Sequence, residues 1–317
     1  MATAERTVGR FAPSPTGDLH LGSALAMLAA WASARSAGGR FLWRIEDIDG
    51  PRVVPGAAER QMEDARWLGI DWDGEPVRQS DRGANYDAAL RRLAERGRMY
   101  PCRVSRKELR AIASAPHGPG LPPFPAALRS TAPPGFAEAP WPADAALRFR
   151  IDSAPVTFHD AVVGTVTEDV PRAVGDVVLR RRDGVVAYQL AVVVDDLAQG
   201  VTEVVRGRDL LASTARQIVL ARALGGAVPR YGHVPLVVAP DGDKLSKRDG
   251  ALSLRALREA GARPEAVVAW LAGALGQRAR TLPELAAGFD LRRVPDRPIP
   301  AAPGLARRLT TASAGTP

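Results

Sequence analysis

The run Ala12-Pro13-Ser14-Pro15-Thr16-Gly17 constrains this chain more than any other short stretch. Its two prolines lack the N–H groups and free φ torsions that a helix interior or a central strand needs, so regular structure must stop on both sides of it. The residues before it, Thr7 to Phe11, are short and rich in strand formers. After it the period changes at His20: Leu21, Leu25, Leu28 and Ala32 fall on one helical face, and Gly38-Gly39 closes the helix with residues that accept a positive φ. The order is therefore strand, turn, helix. A second strand, Phe41 to Ile45, delivers Glu46, Asp47 and Asp49 just past its carboxyl end, where open α/β sheets bind ligands. Helices near Ala57 to Leu68 and Tyr86 to Arg96 complete a β-α-β-α first half.

At 317 residues the chain exceeds one small module, and 46% apolar with 25% charged residues is ordinary for a soluble globular enzyme. Disordered, collagen-like and membrane classes are excluded on those grounds. The single cysteine, Cys102, forbids an internal disulfide and cannot by itself make a thiolate metal site. The opening MATAERTVGRF has no basic-then-apolar signal layout, and no uncharged apolar run reaches about 18 residues, so a cytoplasmic, membrane-free protein is expected. The formal charge is +8, which suits a polyanionic partner. Only Lys107, Lys244 and Lys247 are lysine; the other 40 basic residues are arginine. In a chain so drifted toward arginine, two lysines within Lys244-Leu245-Ser246-Lys247 mark a place that needs an ammonium group.

Between Met99 and Ala146 prolines cluster from Pro116 to Pro142 and apolar periodicity disappears, which predicts an inserted, loop-rich unit over residues 99–175 between catalytic halves 1–98 and 176–250. Strands resume at Ala146. Asp176 to Arg181 and Val185 to Val194 flank Asp183-Gly184 and predict a hairpin. A helix over Ser213 to Leu224 and a strand over His233 to Ala239 follow, then a helical unit over 251–309 (Leu254 to Gly261, Pro264 to Leu275) and a polar tail over 310–317.

His20-Leu21-Gly22-Ser23 opens the first helix straight after the proline turn, so the helix dipole, its free N–H groups and the His20 ring face one volume, as a triphosphate site requires. Gly22 leaves room for a flat base against the backbone. Lys244, Ser246 and Lys247 lie between Gly242 and Gly250, in a segment that could close on phosphates and offset charge on departing pyrophosphate. Taken singly, His20 reads equally well as a helix cap and the lysines as a solvated cluster. Together, strand, proline turn, HLGS, insertion and KLSKR resemble the layout of class I aminoacyl-tRNA synthetases. The fold implied is α/β, a Rossmann-like parallel sheet with an inserted unit and a short C-terminal helical unit.

The resemblance narrows along the chain. Gly9-Arg10-Phe11-Ala12-Pro13-Ser14-Pro15-Thr16-Gly17 and Arg44-Ile45-Glu46-Asp47 look like the glutamyl-tRNA synthetase subgroup. Ala187-Tyr188-Gln189-Leu190 through Asp195-Asp196, Val204-Val205-Arg206-Gly207-Arg208-Asp209, and Ser213-Thr214 before Arg216-Gln217 resemble the glutamyl-queuosine tRNA(Asp) synthetases, shortened paralogues of that subgroup. The similarity covers roughly residues 7 to 275. It implies a glutamate site at Arg10, Phe11, Ala12, Pro13, Ser14, Glu46, Tyr188 and Arg206, and an ATP site at His20, Gly22, Ser23, Lys244, Ser246 and Lys247. The chemistry is consistent: Arg10 or Arg206 can fork onto the side-chain carboxylate, Glu46 can answer the ammonium, and the Tyr188 hydroxyl can fix orientation. Outside the shared motif order the arginines would read as surface charge, Tyr188 as strand packing and Glu46 as a cap or salt-bridge partner.

Relatives in this family commonly hold zinc in the insertion with Cys-x-Cys followed by Tyr-x-x-x-Cys. Here Cys102 is followed by Val104, and Phe124 and Leu128 stand at the later positions, so one sulfur remains of four ligands. No zinc is expected, with apolar packing in its place, and His117 reads as an exposed loop residue. The resemblance implies attack of the glutamate α-carboxylate on the α-phosphorus of ATP, with Mg²⁺ carried on the phosphates, and transfer of glutamate to queuosine at the wobble position of tRNA(Asp); a monomer is expected. The 67 residues after Gly250 are too few for the helical anticodon-binding region of a full glutamyl-tRNA synthetase. The competing readings are a truncated enzyme charging the tRNA 3′ end, a catalytically silent tRNA-binding module, and last an HxGH-type nucleotidyltransferase such as pantothenate synthetase. Lys247→Ala is expected to slow adenylate formation without unfolding the chain; an unchanged pyrophosphate-exchange rate would remove that lysine from the mechanism.

Overall fold

Two sets of parallel strands meet edge to edge, and the seam between them positions the site. The computed structural model describes residues 6–105, 107–109, 123–239 and 252–311. In the first set Val8–Phe11 pairs in parallel with Arg40–Ile45, and Val77–Arg78 joins on the far edge. A parallel pair needs a crossover, which the helix Leu21–Ser36 supplies. Leu21, Leu25, Leu28 and Ala32 are fully buried, as their spacing predicts, but so are Ala24, Met27 and Ala29. A helix apolar all round is a buried helix, and this one is covered by strand Glu203–Gly207 on one side and by Pro264–Ala274 and Leu282–Gly288 on others. The two glycines that end it serve different purposes. Gly38 takes φ +61°, whereas a Cβ at Gly39 would stand 2.3 Å from the Thr7 carbonyl oxygen, the acceptor of the Arg40 N–H.

In the second set Glu203–Gly207 pairs in parallel with Arg230–Val234, which also pairs in parallel with Val156–Asp160; Gly164–Glu168 returns antiparallel on the outer edge. The sets meet where Thr202 donates to the Val8 carbonyl at 3.0 Å and Val8 N–H donates back to Thr202 Oγ1 at 2.9 Å. Strand order reverses direction at this seam, the position at which open α/β sheets leave a crevice beyond their carboxyl ends.

The parallel α/β architecture is as expected, with local differences. The Asp183-Gly184 turn forms, with Gly184 at φ +86° and Arg181 N–H on Val185 O. The return strand expected over Val185 to Val194 does not: Val186 makes one bridge to Arg180, and from Tyr188 the chain is a helix, Tyr188–Ala198. The β-branched run Val192-Val193-Val194 favours a strand only weakly, and all three are buried in the core that this helix shares with Leu211–Ala223, so packing overrides propensity. Val177–Arg180 pairs antiparallel with Ala146–Phe149, itself paired with Met99–Cys102, while the Val156–Glu168 hairpin leaves the insertion for the main sheet. The strand expected over His233 to Ala239 is two, Arg230–Val234 and Val237–Val238, the latter paired with Ile299–Pro300. Thr310 and Thr311, expected in the tail, finish the helix Leu305–Thr311; residues 312–317 and His117 lie outside the described residues.

The insertion has its own small core. Tyr100, Cys102, Leu109 and Phe124 are buried together, with Val104 and Leu128 packed against them. The Arg148 guanidinium lies 3.9 Å from the centre of the Phe124 ring, and Phe124 N–H donates to Val174 O. Gly175, at φ +68°, passes so close to Phe124 that a Cβ would stand 2.2 Å from its carbonyl oxygen. Asp176 ties the rim, accepting from Tyr100 Oη at 2.6 Å, Arg129 Nε at 2.7 Å and Ile151 N–H at 2.9 Å.

Candidate active site

The carboxyl ends of Val8–Phe11 and Glu203–Gly207 open into one cavity of about 340 Å³. Arg10, Phe11, Ala12, Pro13, Ser14, His20, Gly22, Ser23, Glu46, Tyr188 and Arg206 all line it. Every residue named for the glutamate and ATP sites within the described part of the chain thus lines one cavity. Lys244, Ser246 and Lys247 lie outside the described residues, but the chain on either side of them borders the cavity. Leu236 and Val237 line it. On the other flank Ser253 bridges His20, and Leu254 N–H donates to Leu19 O at 2.7 Å.

His20 caps the helix Leu21–Ser36: its Nδ1 accepts the Ser23 N–H at 3.2 Å, and Nε2 lies 3.1 Å from Ser23 Oγ. A Cβ on Gly22 would stand 3.0 Å from two atoms of that ring, so glycine here also preserves the capping pose. The proline turn offers carbonyls with few local donors. Glu46 N–H reaches Pro13 O, Val54 N–H reaches Pro15 O, and the buried Gln61 donates from Nε2 to Ser14 O at 3.2 Å and Gly17 O at 2.7 Å.

On the opposite wall the charges are interlocked. Asp196 Oδ1 accepts from Arg10 Nε at 3.2 Å and from Arg44 Nη1 at 2.7 Å, and Arg44 Nη2 reaches Glu46 Oε1 at 3.2 Å. Behind them Asp195 accepts from Arg82 Nε at 2.5 Å, Gln79 Nε2 at 2.9 Å and Tyr86 Oη at 2.9 Å. Burial pushes the Asp196 carboxyl up, but the charges of Arg10 and Arg44 outweigh it and hold the group below the usual carboxylate range. For Glu46 burial wins over the same two arginines, and its pKa is raised. Asp47 and Asp49 do not line the cavity; Asp47 accepts from Ser80, and Asp49 pairs with Arg181.

Arg206 is different. It is only 5% exposed, yet its partners are all uncharged: His233 Nε2 at 3.0 Å from Nε, Gln217 Oε1 at 2.8 Å from Nη1, and Thr214 Oγ1 at 2.9 Å and Leu210 O at 3.3 Å from Nη2. Among the described residues no carboxylate lies within ion-pair distance of it. Burial, with repulsion from Arg10, lowers its pKa. A buried guanidinium without a counter-ion is costly, and an entering carboxylate would be its first. The Tyr188 side chain lines the same space, and its hydroxyl makes no hydrogen bond among the described residues; burial and the Glu46 charge raise its pKa.

The model for the catalytic domain of class I tRNA synthetases (E and Q) matches residues 6–288. Over 253 residues the sequence is 54% identical to the glutamyl-Q tRNA(Asp) synthetase of Geobacter sulfurreducens, covering 80% of this chain and 79% of that protein. The chain belongs to the glutamyl-Q tRNA(Asp) synthetase family. It is 50% identical over 291 residues to the glutamyl-Q tRNA(Asp) synthetase of Nocardia farcinica, covering 92% of this chain and 91% of that one. Among solved structures, a glutamate tRNA ligase from Elizabethkingia meningosepticum in complex with its amino acid superposes with a TM-score of 0.82 at 26% identity, over 98% of this chain and 70% of the ligase. The protein is a ligase of the class I tRNA synthetase kind.

Sequence reasoning about the family site missed the groups that hold it. Arg44 and Asp195-Asp196 stood inside quoted motifs but were given no role, and only their charge next to the nominated residues could have flagged them. Gln61 carries only a faint signal: it lies at helical spacing between Ala57, Ala58 and Ala65 on the apolar side of Ala57–Trp67, and the carbonyls it serves appear only in three dimensions. Asp196→Ala should leave Arg10 and Arg44 sharing a buried site without their common acceptor, with an expected stability loss of about 3 kcal/mol in urea titration. A loss below about 1 kcal/mol would show that the network does not depend on this carboxylate.

Proposed function

We propose that the cavity binds L-glutamate, activates it with ATP as glutamyl-adenylate, and transfers it to the queuosine base at the wobble position of tRNA(Asp). The observation that carries the glutamate assignment is Arg206, a buried cation with only neutral partners, facing a cavity that also holds an anion, Glu46, and a second arginine already neutralised by Asp196. A ligand with one ammonium and two carboxylates matches that charge pattern. Arg206 takes the side-chain carboxylate, Glu46 answers the ammonium, and Tyr188 with the Phe11 to Ser14 turn fixes the orientation.

ATP enters at His20, Gly22 and Ser23, with the start of helix Leu21–Ser36 toward its phosphates; Lys244, Ser246 and Lys247 complete that site. Mg²⁺ arrives on the ATP phosphates as part of the substrate. The glutamate α-carboxylate attacks the α-phosphorus, the bond to the pyrophosphate oxygen breaks, and pyrophosphate leaves with its added charge met by His20 and the lysines. A hydroxyl of the queuosine cyclopentenediol then attacks the activated carbonyl, and AMP departs. The queuosine assignment is supported by the relatives' printed names and the tRNA partner by the +8 charge. No helix among the described residues is long and apolar enough to cross a membrane, in keeping with a cytoplasmic enzyme. The domain roles follow: a catalytic unit in two halves, an insertion toward tRNA, and a C-terminal helical unit.

The insertion does not fit a structural zinc. Cys102 is its one thiol, and its neighbours Val104, Phe124 and Leu128 have no ligating atoms. Their packing supports a reading in which apolar contact replaces the metal cross-link. Purified protein analysed for metals after dialysis is expected to carry no stoichiometric zinc; one zinc per chain would overturn this. Labelled glutamate, supplied with ATP and Mg²⁺, should label tRNA from queuosine-making cells and not tRNA from cells that lack queuosine. Equal labelling would mean 3′-end charging, and no labelling of either pool would mean a silent binding module.

A further inference from the structure

Arg206 is held in place by a buried chain of groups that begins behind the cavity lining. Asp160, at the end of strand Val156–Asp160, and His233, on strand Arg230–Val234, are both fully buried. Asp160 Oδ1 accepts three backbone N–H groups, from Val162 at 3.0 Å, Val163 at 2.9 Å and His233 at 3.1 Å, and Oδ2 lies 2.6 Å from His233 Nδ1. At the other side of the ring, Nε2 lies 3.0 Å from Arg206 Nε and 3.2 Å from Thr214 Oγ1, a hydroxyl that accepts from Arg206 Nη2 and can turn its own proton toward Nε2. An arginine Nε can only donate, so Nε2 must present its lone pair and the ring proton must sit on Nδ1, facing the carboxylate. The heavy-atom positions alone therefore fix a neutral ring in one tautomer. Burial, aided by the Arg206 charge, lowers the His233 pKa, which favours the same state.

The consequence reaches the cavity. With Nε engaged by His233, Nη2 by Thr214 and Leu210, and one Nη1 hydrogen by Gln217, the guanidinium plane is fixed. One Nη1–H is left without an acceptor among the described residues. Gln217 is itself held, donating from Nε2 to Gln189 Oε1 at 2.9 Å. We propose that Asp160 and His233 are positioning residues: Asp160 holds the His233 ring in the tautomer whose bare Nε2 accepts the Arg206 Nε–H, and this aims the guanidinium at the substrate carboxylate. The inference rests on the assignment of Arg206 to glutamate and adds to it the groups that orient Arg206.

The test is steady-state glutamate transfer by the full chain, with KM measured separately for glutamate and ATP. Asp160→Asn keeps Oδ1 for the three backbone donors but turns an NH₂ toward Nδ1, which drives the ring proton to Nε2 and sets two donors against each other at Arg206. The expected result is a rise of about tenfold in the glutamate KM, with the ATP KM and the melting temperature nearly unchanged. His233→Leu, of similar size without an acceptor, should raise the glutamate KM in the same way, and His233→Gln, whose Oε1 can accept from Arg206, should recover much of it. Once His233→Gln is present no tautomer remains to be set, so adding Asp160→Asn should have no further effect on the glutamate KM.

A purely structural role predicts otherwise: a lowered melting temperature, both KM values and kcat moving together, and an Asp160→Asn penalty that persists in the His233→Gln background. Arg206→Ala separates the two levels. If it leaves the glutamate KM unchanged, the glutamate assignment of the cavity fails. If it raises that KM while Asp160→Asn and His233→Leu do not, only the positioning inference fails. Should Asp160→Asn not fold, the contrast between His233→Leu and His233→Gln decides.

Discussion

Asp196 bonds two guanidinium groups from adjacent strands at once, and the rest of the site depends on that carboxylate. Arg10 comes from the first strand, Arg44 from the second, and Asp196 from a helix 186 residues further along than Arg10. The interaction therefore joins the two parts of the chain that the insertion separates. Without it, two cations would lie side by side in a place that water hardly reaches, and the strand ends carrying Arg10 and Glu46 would be driven apart. With it, Arg10 is already neutralised, and Arg206 is left as the cation that an incoming carboxylate can satisfy. The same pairing thus sets both the shape of the cavity and its charge.

The seam between the two parallel sets explains why the cavity forms where it does. Neighbouring strand ends deliver Arg10 and Arg206 from opposite sides of one crevice, and the first helix begins beside them with His20 as its cap. Each half supplies what the other lacks. The first half contributes the proline turn, the helix start and Glu46; the second contributes Tyr188, Arg206 and the buried Asp160–His233 pair behind it.

Local features were legible in the sequence and non-local ones were not. The strand, proline turn and helix could be read because their signals lie within thirty-odd residues and depend on backbone chemistry that no distant contact can change. The helix Tyr188–Ala198 was misread because its valines favour a strand by less than packing favours a helix. The sheet that Val177–Arg180 joins has no local signal, because strand partnership is a long-range choice and the turn after it says nothing about which edge the strand will pair with. The cavity residues were found through motif order, not through their chemistry alone; one arginine among 40 carries little information. His233 and Gln61 had no motif to betray them, since an isolated histidine or glutamine reveals its use only once its neighbours are known.

The ladder between Val237–Val238 and Ile299–Pro300 has a further meaning. The strand that leads toward the lysine segment is completed by a strand from near the end of the chain, and the first helix shares one hydrophobic core with Leu254, Val267, Leu271, Leu285 and Leu305. The C-terminal helices are therefore not an appendage that can come and go. They belong to the same cooperative unit as the His20 end of the cavity, so local opening of either exposes the apolar face of the other, and neither can be lost by proteolysis or deletion while its counterpart stays folded.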